Sequence, residues 1–472
     1  MAEQKTTEPV SLVRQLGVTS AAALVVANMV GSGIFITTPF LAGDLASVPL
    51  VLSIWLVGAF IALAGAFCYS ELGVNFPSSG GEYVYLTQAY GPVWGFMTGW
   101  ISFVVGFSCA IAAAALAFAN YLSYFWPAWK NAAPFLTFGP ESFRVTVGPM
   151  QLAACALIGA MTLVNLNDLK TVAKFQNFFT GFKIAVLFSL IVLGFLFGNG
   201  NWNHFSMDAV RTSTVPIGAQ FAISLCFLFT SYSGWNAATY IAEEVKQPAR
   251  TLPKALALGT LLVATLYFGL NLIFLYAMPL EEMKSTVAIG SGSAVKLFGP
   301  GVASVFTAAM AIALFSSVNS MIVIGPRVYY AMARNRAFFK FAAQLSTRTR
   351  TPVNSILVQG AVAMLVTMTP LADLVLFIGF TLNIFTVITV ASLFIFRKRA
   401  GWQKLPAVSF LYPLFPVLYI AMGLWVTYFG LTSAPKPSLI ALGLIFAGAA
   451  VYKLRIKDQM LQHERSQAAA GD

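Results

Sequence analysis

The chain has 472 residues, 58% of them hydrophobic and only 9% charged, with a mean hydropathy of +0.79 and a net charge of +12. So few charges cannot cover the surface of a soluble protein of this size, so lipid must solvate most of it. That excludes a soluble enzyme, and the way the positive charge is spread along the chain excludes nucleic acid as the reason for it.

A polar segment, 1–15, comes first. The apolar run after it is too long for a secretory signal and lacks a small-residue cleavage site. Apolar runs then fall at 16–40, 49–70, 92–122, 147–166, 175–198, 216–240, 255–278, 298–330, 353–370, 372–396, 408–431 and 437–454. Each is near the roughly 20 residues that a membrane-spanning helix needs, so the expected fold is all-α with about twelve transmembrane helices. Pro370 marks the least distinct boundary, between the ninth and tenth runs. Cys68, Cys109, Cys155 and Cys226 lie inside apolar runs, with no CxxC pair and no neighbouring histidine. They read as small buried residues rather than metal ligands or disulfides.

With the N-terminus placed in the cytoplasm, the segments on that side hold 21 of the 28 Lys and Arg residues and the opposite segments hold 6. Such a bias puts both termini inside and favours an even number of spans. The remaining cation, Lys183, stands in the run FTGFKIAVLF. A charge in mid-membrane costs several kcal/mol, so Lys183 either snorkels to the inner surface or has a function.

Two runs are interrupted. Gly31-Ser32-Gly33 breaks VVANMVGSGIFITTPF, and Ser231-Tyr232-Ser233-Gly234 breaks FLFTSYSGWNAATYIAEE. A glycine pair alone could serve close helix packing. Two interruptions about 200 residues apart, one in each five-helix half, point instead to an inverted-repeat transporter with a midplane site. The amides of Ser32, Gly33 and Ile34 then open a half-helix and suit a carboxylate. The carbonyls near Met29 and Val30, and near Thr230, Ser231 and Ser233, suit an ammonium group. Together they fit an α-amino acid zwitterion.

Glu71 and Glu82 frame the segment 72–91, and Glu243 and Glu244 follow the sixth run. They are either gate salt-bridge partners of the basic 327–350 stretch or ordinary solvated loop charges. His204 and His463 are poorly placed for a proton relay. No Ser-His-Asp set, HExxH motif or phosphate-cradling loop appears at a credible place, and the first GxG lacks the strand and third glycine of a dinucleotide fingerprint. No cofactor or metal is expected.

Several motifs occur in order: GSGIF at 31–35, YSELG at 69–73, SGGEYVY at 79–85, YSGWNAATYIAEEVKQPARTLPKAL at 232–256 and FSSVNS at 315–320. In these the chain resembles the amino acid–polyamine–organocation superfamily, and within it the L-type amino acid transporter group, over roughly residues 10–400. The resemblance implies a LeuT-type fold of five-plus-five inverted helices. Its first repeat would be 16–200 and its second 210–400, followed by two extra helices in 401–455 and cytoplasmic tails at 1–15 and 456–472. It implies a site around Met29, Val30, Gly31, Ser32, Gly33 and Ile34 of the first break and Thr230, Ser231, Tyr232, Ser233 and Gly234 of the second. Ser32 and Gly33 would take the carboxylate. Val30, Thr230, Ser231 and Ser233 would take the amine, Trp235 would wall the pocket, and Asn383 would stand near it. Relatives carry a lysine at the place of Lys183, where sodium-coupled cousins hold an ion, so the implied neighbours of Lys183 are the first-break carbonyls and Ser316 or Ser317. Uptake is then expected to be independent of sodium.

The chain departs from the pattern at Thr230, where many members have a bulky aromatic lid; Phe229 stands beside it. The loop 121–147 has no cysteine, so no disulfide-linked heavy chain is expected. The expected function is alternating-access transport of neutral amino acids across the cell membrane. Thr230, Ser231 and Ser233 suggest small substrates such as alanine or serine, and no acid falls at the expected pocket positions. Exchange and proton symport stay open, as does a proton-coupled permease of broader or cationic specificity. A membrane enzyme would need clustered carboxylates or histidines at membrane depth, and a pore would not saturate.

Overall fold

In lipid a chain must satisfy its backbone polar groups within its own segment, so long apolar runs become helices. The computed structural model describes residues 12–31, 33–138, 145–286, 288–369, 371–433 and 435–459. Ser32, Pro370, His463 and most of both expected tails lie outside the described residues. The first run forms α1 (Val18–Met29) and α2 (Gly33–Asp44). After them come α3 (Val48–Asn75), the short α4 (Glu82–Tyr90), α5 (Pro92–Leu122), α6 (Pro149–Val164) and α7 (Leu169–Phe197). The second half contains α8 (Ile217–Ser231), a 3₁₀ segment (Ala237–Glu244), α9 (Pro248–Ala277), α10 (Ile289–Arg334), α11 (Val353–Val366), α12 (Leu371–Phe396), α13 (Leu414–Ser433) and α14 (Pro435–Val451). A small hairpin pairs β1 (Leu136–Phe138) antiparallel with β2 (Val145–Val147). Among the described residues, nine helical segments are long and apolar enough to cross a membrane, and α6, α8 and α11 are apolar but shorter.

Local chemistry sets several boundaries. Proline opens α3, α5, α6 and α9, where a missing N–H costs nothing. The Asp168 side chain caps α7 by accepting from the Thr171 amide at 3.0 Å. The eighth run, expected from residue 298, belongs to the longer α10, but Gly299 at φ +79° turns the chain there and the helix restarts at Pro300.

α1 is wrapped by α7, α9 and α10, so the first break lies in the protein interior, and α8 packs on α2, α3, α12 and α13. Phe178, Phe188, Leu258, Val305, Leu424 and Phe446 point outward and are exposed, an apolar belt suited to lipid rather than water. The two ends of the described chain meet one face. The amides of Gln15 and Leu16 donate to the Glu244 carbonyl, the Gly80 amide donates to that of Tyr240, and Tyr452 packs against Phe96 near the start of α5. This face is called the terminal face below.

α5 is not the uninterrupted α-helix that its sequence suggests. Ser102–Cys109 widens into a π-helical stretch. The Ser108 hydroxyl and the Cys109 thiol donate to the carbonyls of Phe103 and Val104, each five residues back, at 2.7 and 3.2 Å. Such segments are often found at functional sites.

Candidate functional site

At the first break α1 ends when Val30 leaves helical geometry, at ψ 80°. The Gly31 amide turns to the Met29 carbonyl at 2.9 Å instead of continuing the ladder. The α7 residue Lys183 occupies the gap. Its amine donates to Val30 O at 2.6 Å, Ser317 Oγ at 2.7 Å and Ala27 O at 3.3 Å, and Ser317 Oγ also donates to Val30 O at 2.6 Å. Lys183 is 1% exposed, so it does not snorkel. Ser316 turns the other way, into a polar cluster with Gln176 and Thr180 of α7, and Gln176 is in turn bonded by Asn319.

The second break follows α8. The Ser233 amide and hydroxyl both donate to the Thr230 carbonyl, at 3.2 and 2.8 Å, and Gly234 takes φ +98°. A side chain at Gly234 would also collide with Asn28, whose Nδ2 would lie 2.9 Å from its Cβ, so both backbone conformation and space demand glycine. The breaks touch each other. A Cβ on Gly33 would stand 2.5 Å from Ser231 Cα, and the Thr37 and Ser231 hydroxyls are 2.8 Å apart. Tyr267 of α9 ties the two together, because its hydroxyl lies 2.7 Å from Met29 O and 3.0 Å from Ser231 O.

These contacts correct the expected pocket in one respect. The carbonyls of Met29, Val30, Thr230 and Ser231, expected to face an ammonium, already accept protein donors. The missing side chain of Gly33 lets the two breaks touch, whereas a Cβ on Gly31 would meet nothing closer than Met321 Cε at 4.0 Å.

Beside the breaks lies a cavity walled by α1, α5, the second break, α10, α12 and α13. Ser233, Gly234, Trp235 and Phe229 line it, with Trp235 set edge-on against Tyr69 at 4.7 Å. Phe229, not Thr230, is the α8 residue that faces the space. Asn383 is not brought there. Its amide donates to Gly423 O and Thr427 Oγ1 of α13, both at 2.9 Å, while Leu382 and Thr386, one turn apart on another face of α12, line the cavity. Residues that the sequence reading missed also line it: Asn28, Ser102, Gly106 and Phe107. Asn28 is 7% exposed, and its Oδ1 has no partner among the described residues. The one cue in the sequence was a lone asparagine inside an apolar run.

The cavity is not free of acid, although no acid falls at the pocket positions expected from the sequence. Glu82, 3% exposed, lines it and accepts from Tyr69 Oη at 2.6 Å and Asn236 Nδ2 at 3.0 Å. Burial pushes its carboxyl above the usual carboxylate range, against hydrogen bonds from Tyr69, Tyr240 and Asn236 that pull it down. Neither are Glu71 and Glu244 solvated loop charges. Arg397 Nη2 lies 2.6 Å from buried Glu71, and Arg327 pairs with Glu244 at 3.0 Å, both of these residues buried. The Glu243–Arg334 pair at 3.1 Å is surface-exposed by comparison. The buried Arg327–Glu244 pair, together with the Gln15–Leu16 contacts, closes the terminal face below the second break.

A family model described as amino acid permease matches residues 16–449. The chain is 30% identical to the human large neutral amino acids transporter small subunit 2 over 95% of its own length and 81% of the relative's. It is 27% identical to the Mus musculus Asc-type amino acid transporter 1, covering 95% and 82%. It is 31% identical to the Oryctolagus cuniculus b(0,+)-type amino acid transporter 1, covering 84% and 78%.

Proposed function

This chain belongs to the amino acid permease family, and on that premise we propose how its two touching helix breaks carry substrate. It is a multi-pass membrane protein and a transporter of neutral amino acids, not an enzyme. The substrate carboxylate lies against the first-turn amides of α2, at Gly33 and Ile34, which have no intrahelical acceptor. The ammonium faces the unpartnered Asn28 Oδ1 and the backbone carbonyl of Ser233 beside the second break. Phe229, Trp235 and Tyr419 wall the side-chain space. Small side chains suit this narrow, partly polar space.

One observation carries the reading: Tyr267 hydrogen-bonds both breaks at once, so movement of one half-helix is felt by the other. The Lys183 amine takes the place of a sodium ion at Val30, which supports sodium-independent alternating access. The paired breaks support two inverted five-helix repeats, 16–200 and 210–400, with two helices after them and twelve spans in all. The charge bias supports a cell-membrane protein with both ends, and hence the terminal face, in the cytoplasm. All four cysteines lie within helices and none falls in 121–147, which supports a transporter without a disulfide-linked heavy chain. The test is a panel of unlabelled amino acids competing for uptake of labelled L-alanine into proteoliposomes. Small neutral L-amino acids are expected to compete. Competition by none of them would overturn the reading.

A further inference from the structure

Among the described residues three acids are buried at or near the terminal face, and they are not treated alike. Glu71 and Glu244 each hold an arginine, as buried charges normally must. Glu82 holds none. Among the described residues its carboxylate meets only the neutral donors Tyr69, Asn236 and Tyr240. The backbone delivers it there on purpose: Gly80 at φ +114° and Gly81 at φ +50° turn the chain so that the first residue of α4 points inward, and a Cβ on Gly81 would strike Tyr240.

The cavity that Glu82 lines also offers an acceptor without a partner among the described residues, Asn28 Oδ1. A cavity with one unpartnered buried acceptor and one buried acid without a counter-cation favours a ligand that brings donors and positive charge. Glu82 is also close to the substrate position. The Asn236 that bonds it stands two residues beyond Gly234, and Glu82, Ser233 and Gly234 line the same cavity. A side chain that extends from the breaks into this cavity therefore meets Glu82.

We propose that Glu82 is a specificity-determining residue of the transport site, and that it receives the side-chain ammonium of a short diamino acid. The substrate range then extends past neutral amino acids to short cationic ones. This rests on the reading of the cavity as the transport site.

The probe is a pair of isosteres, norvaline and 2,4-diaminobutyrate, which differ in a terminal methyl against a terminal ammonium. Each competes against labelled L-alanine in proteoliposomes holding the full chain, and the readout is the ratio of their half-inhibitory concentrations. In the parent, diaminobutyrate is expected to compete within about threefold of norvaline. In Glu82→Gln the ratio is expected to move against diaminobutyrate by at least about tenfold, or about 1.4 kcal/mol. Glu82→Asp keeps the charge and should keep most of the preference. A parent that takes norvaline but rejects diaminobutyrate overturns the proposal alone, and so does an unchanged ratio in Glu82→Gln. If Glu82→Gln does not fold, the parent ratio decides. A parent that takes neither overturns the transport-site reading and the proposal with it.

Discussion

Lys183→Ala separates a working charge from a merely tolerated one. In the parent the amine makes three contacts, to Val30 O, Ser317 Oγ and Ala27 O. The three are not equivalent. Val30 O keeps a donor in the variant, because Ser317 Oγ also reaches it at 2.6 Å. Ala27 O does not, since the Gly31 amide that would close the next helical turn is bonded to Met29 O. One buried carbonyl is therefore orphaned, at about 1–3 kcal/mol. The break loosens, and the balance between the two access states shifts by a similar amount. Transport is expected to fall at least about tenfold, which corresponds to about 1.4 kcal/mol. Substrate affinity changes less, because the α2 amides remain. The assay is initial uptake per reconstituted molecule, with binding measured on the same preparation. Normal uptake by Lys183→Ala would refute the reasoning and leave sodium independence without its explanation.

Three further predictions are independent of that one, and a fourth tests the same lysine by another route. Tyr267→Phe removes the donor shared by Met29 O and Ser231 O; uptake is expected to drop at least about tenfold, and a parent-like rate would show that the breaks move without this tie. Gly33→Ala forces a Cβ to 2.5 Å from Ser231 Cα, while Gly31→Ala meets nothing nearer than 4.0 Å, so binding measured by calorimetry should suffer far more from the first; equal losses would contradict the packing account. Arg327→Gln leaves Glu244 buried and uncompensated, a change worth about 3–5 kcal/mol, and the thermal midpoint in detergent should fall clearly; an unchanged midpoint would remove the pair as the seal of the terminal face. Replacing external sodium by choline should leave uptake unchanged, and a several-fold loss of initial rate would defeat the assignment of Lys183 to the ion's place.

The sequence carried the parts of this structure that depend on local composition. Apolar runs marked the helices, and Gly31-Ser32-Gly33 and Ser231–Gly234 marked the interruptions, because the two fall at matching places in the two halves. The neighbours of Lys183 came from resemblance, and the geometry put Ser317 rather than Ser316 against it. What was hidden depends on helix rotation and on partners distant in the chain. Asn383 and Thr386 are three residues apart, yet one faces α13 and the other the cavity. Tyr267 meets Met29 across 238 residues, and no periodicity announces that register. The direction of Glu82 was set by two positive-φ glycines, whose effect on a side chain cannot be read from their presence alone. The carbonyls expected to wait for an ammonium were engaged by side chains from α7, α9 and α10 and by Ser233 itself, contacts that only the packed bundle supplies.

The central claim is that the paired breaks hold a zwitterion, with the carboxylate at the start of α2 and the ammonium beside the second break. The most direct test is binding of L-alanine to the purified protein in sodium-free buffer, set against propionate, which lacks the ammonium, and ethylamine, which lacks the carboxylate. L-Alanine is predicted to bind at least about a hundredfold more tightly than either fragment, a difference of about 2.7 kcal/mol. Binding of propionate or ethylamine within about threefold of L-alanine would contradict the account.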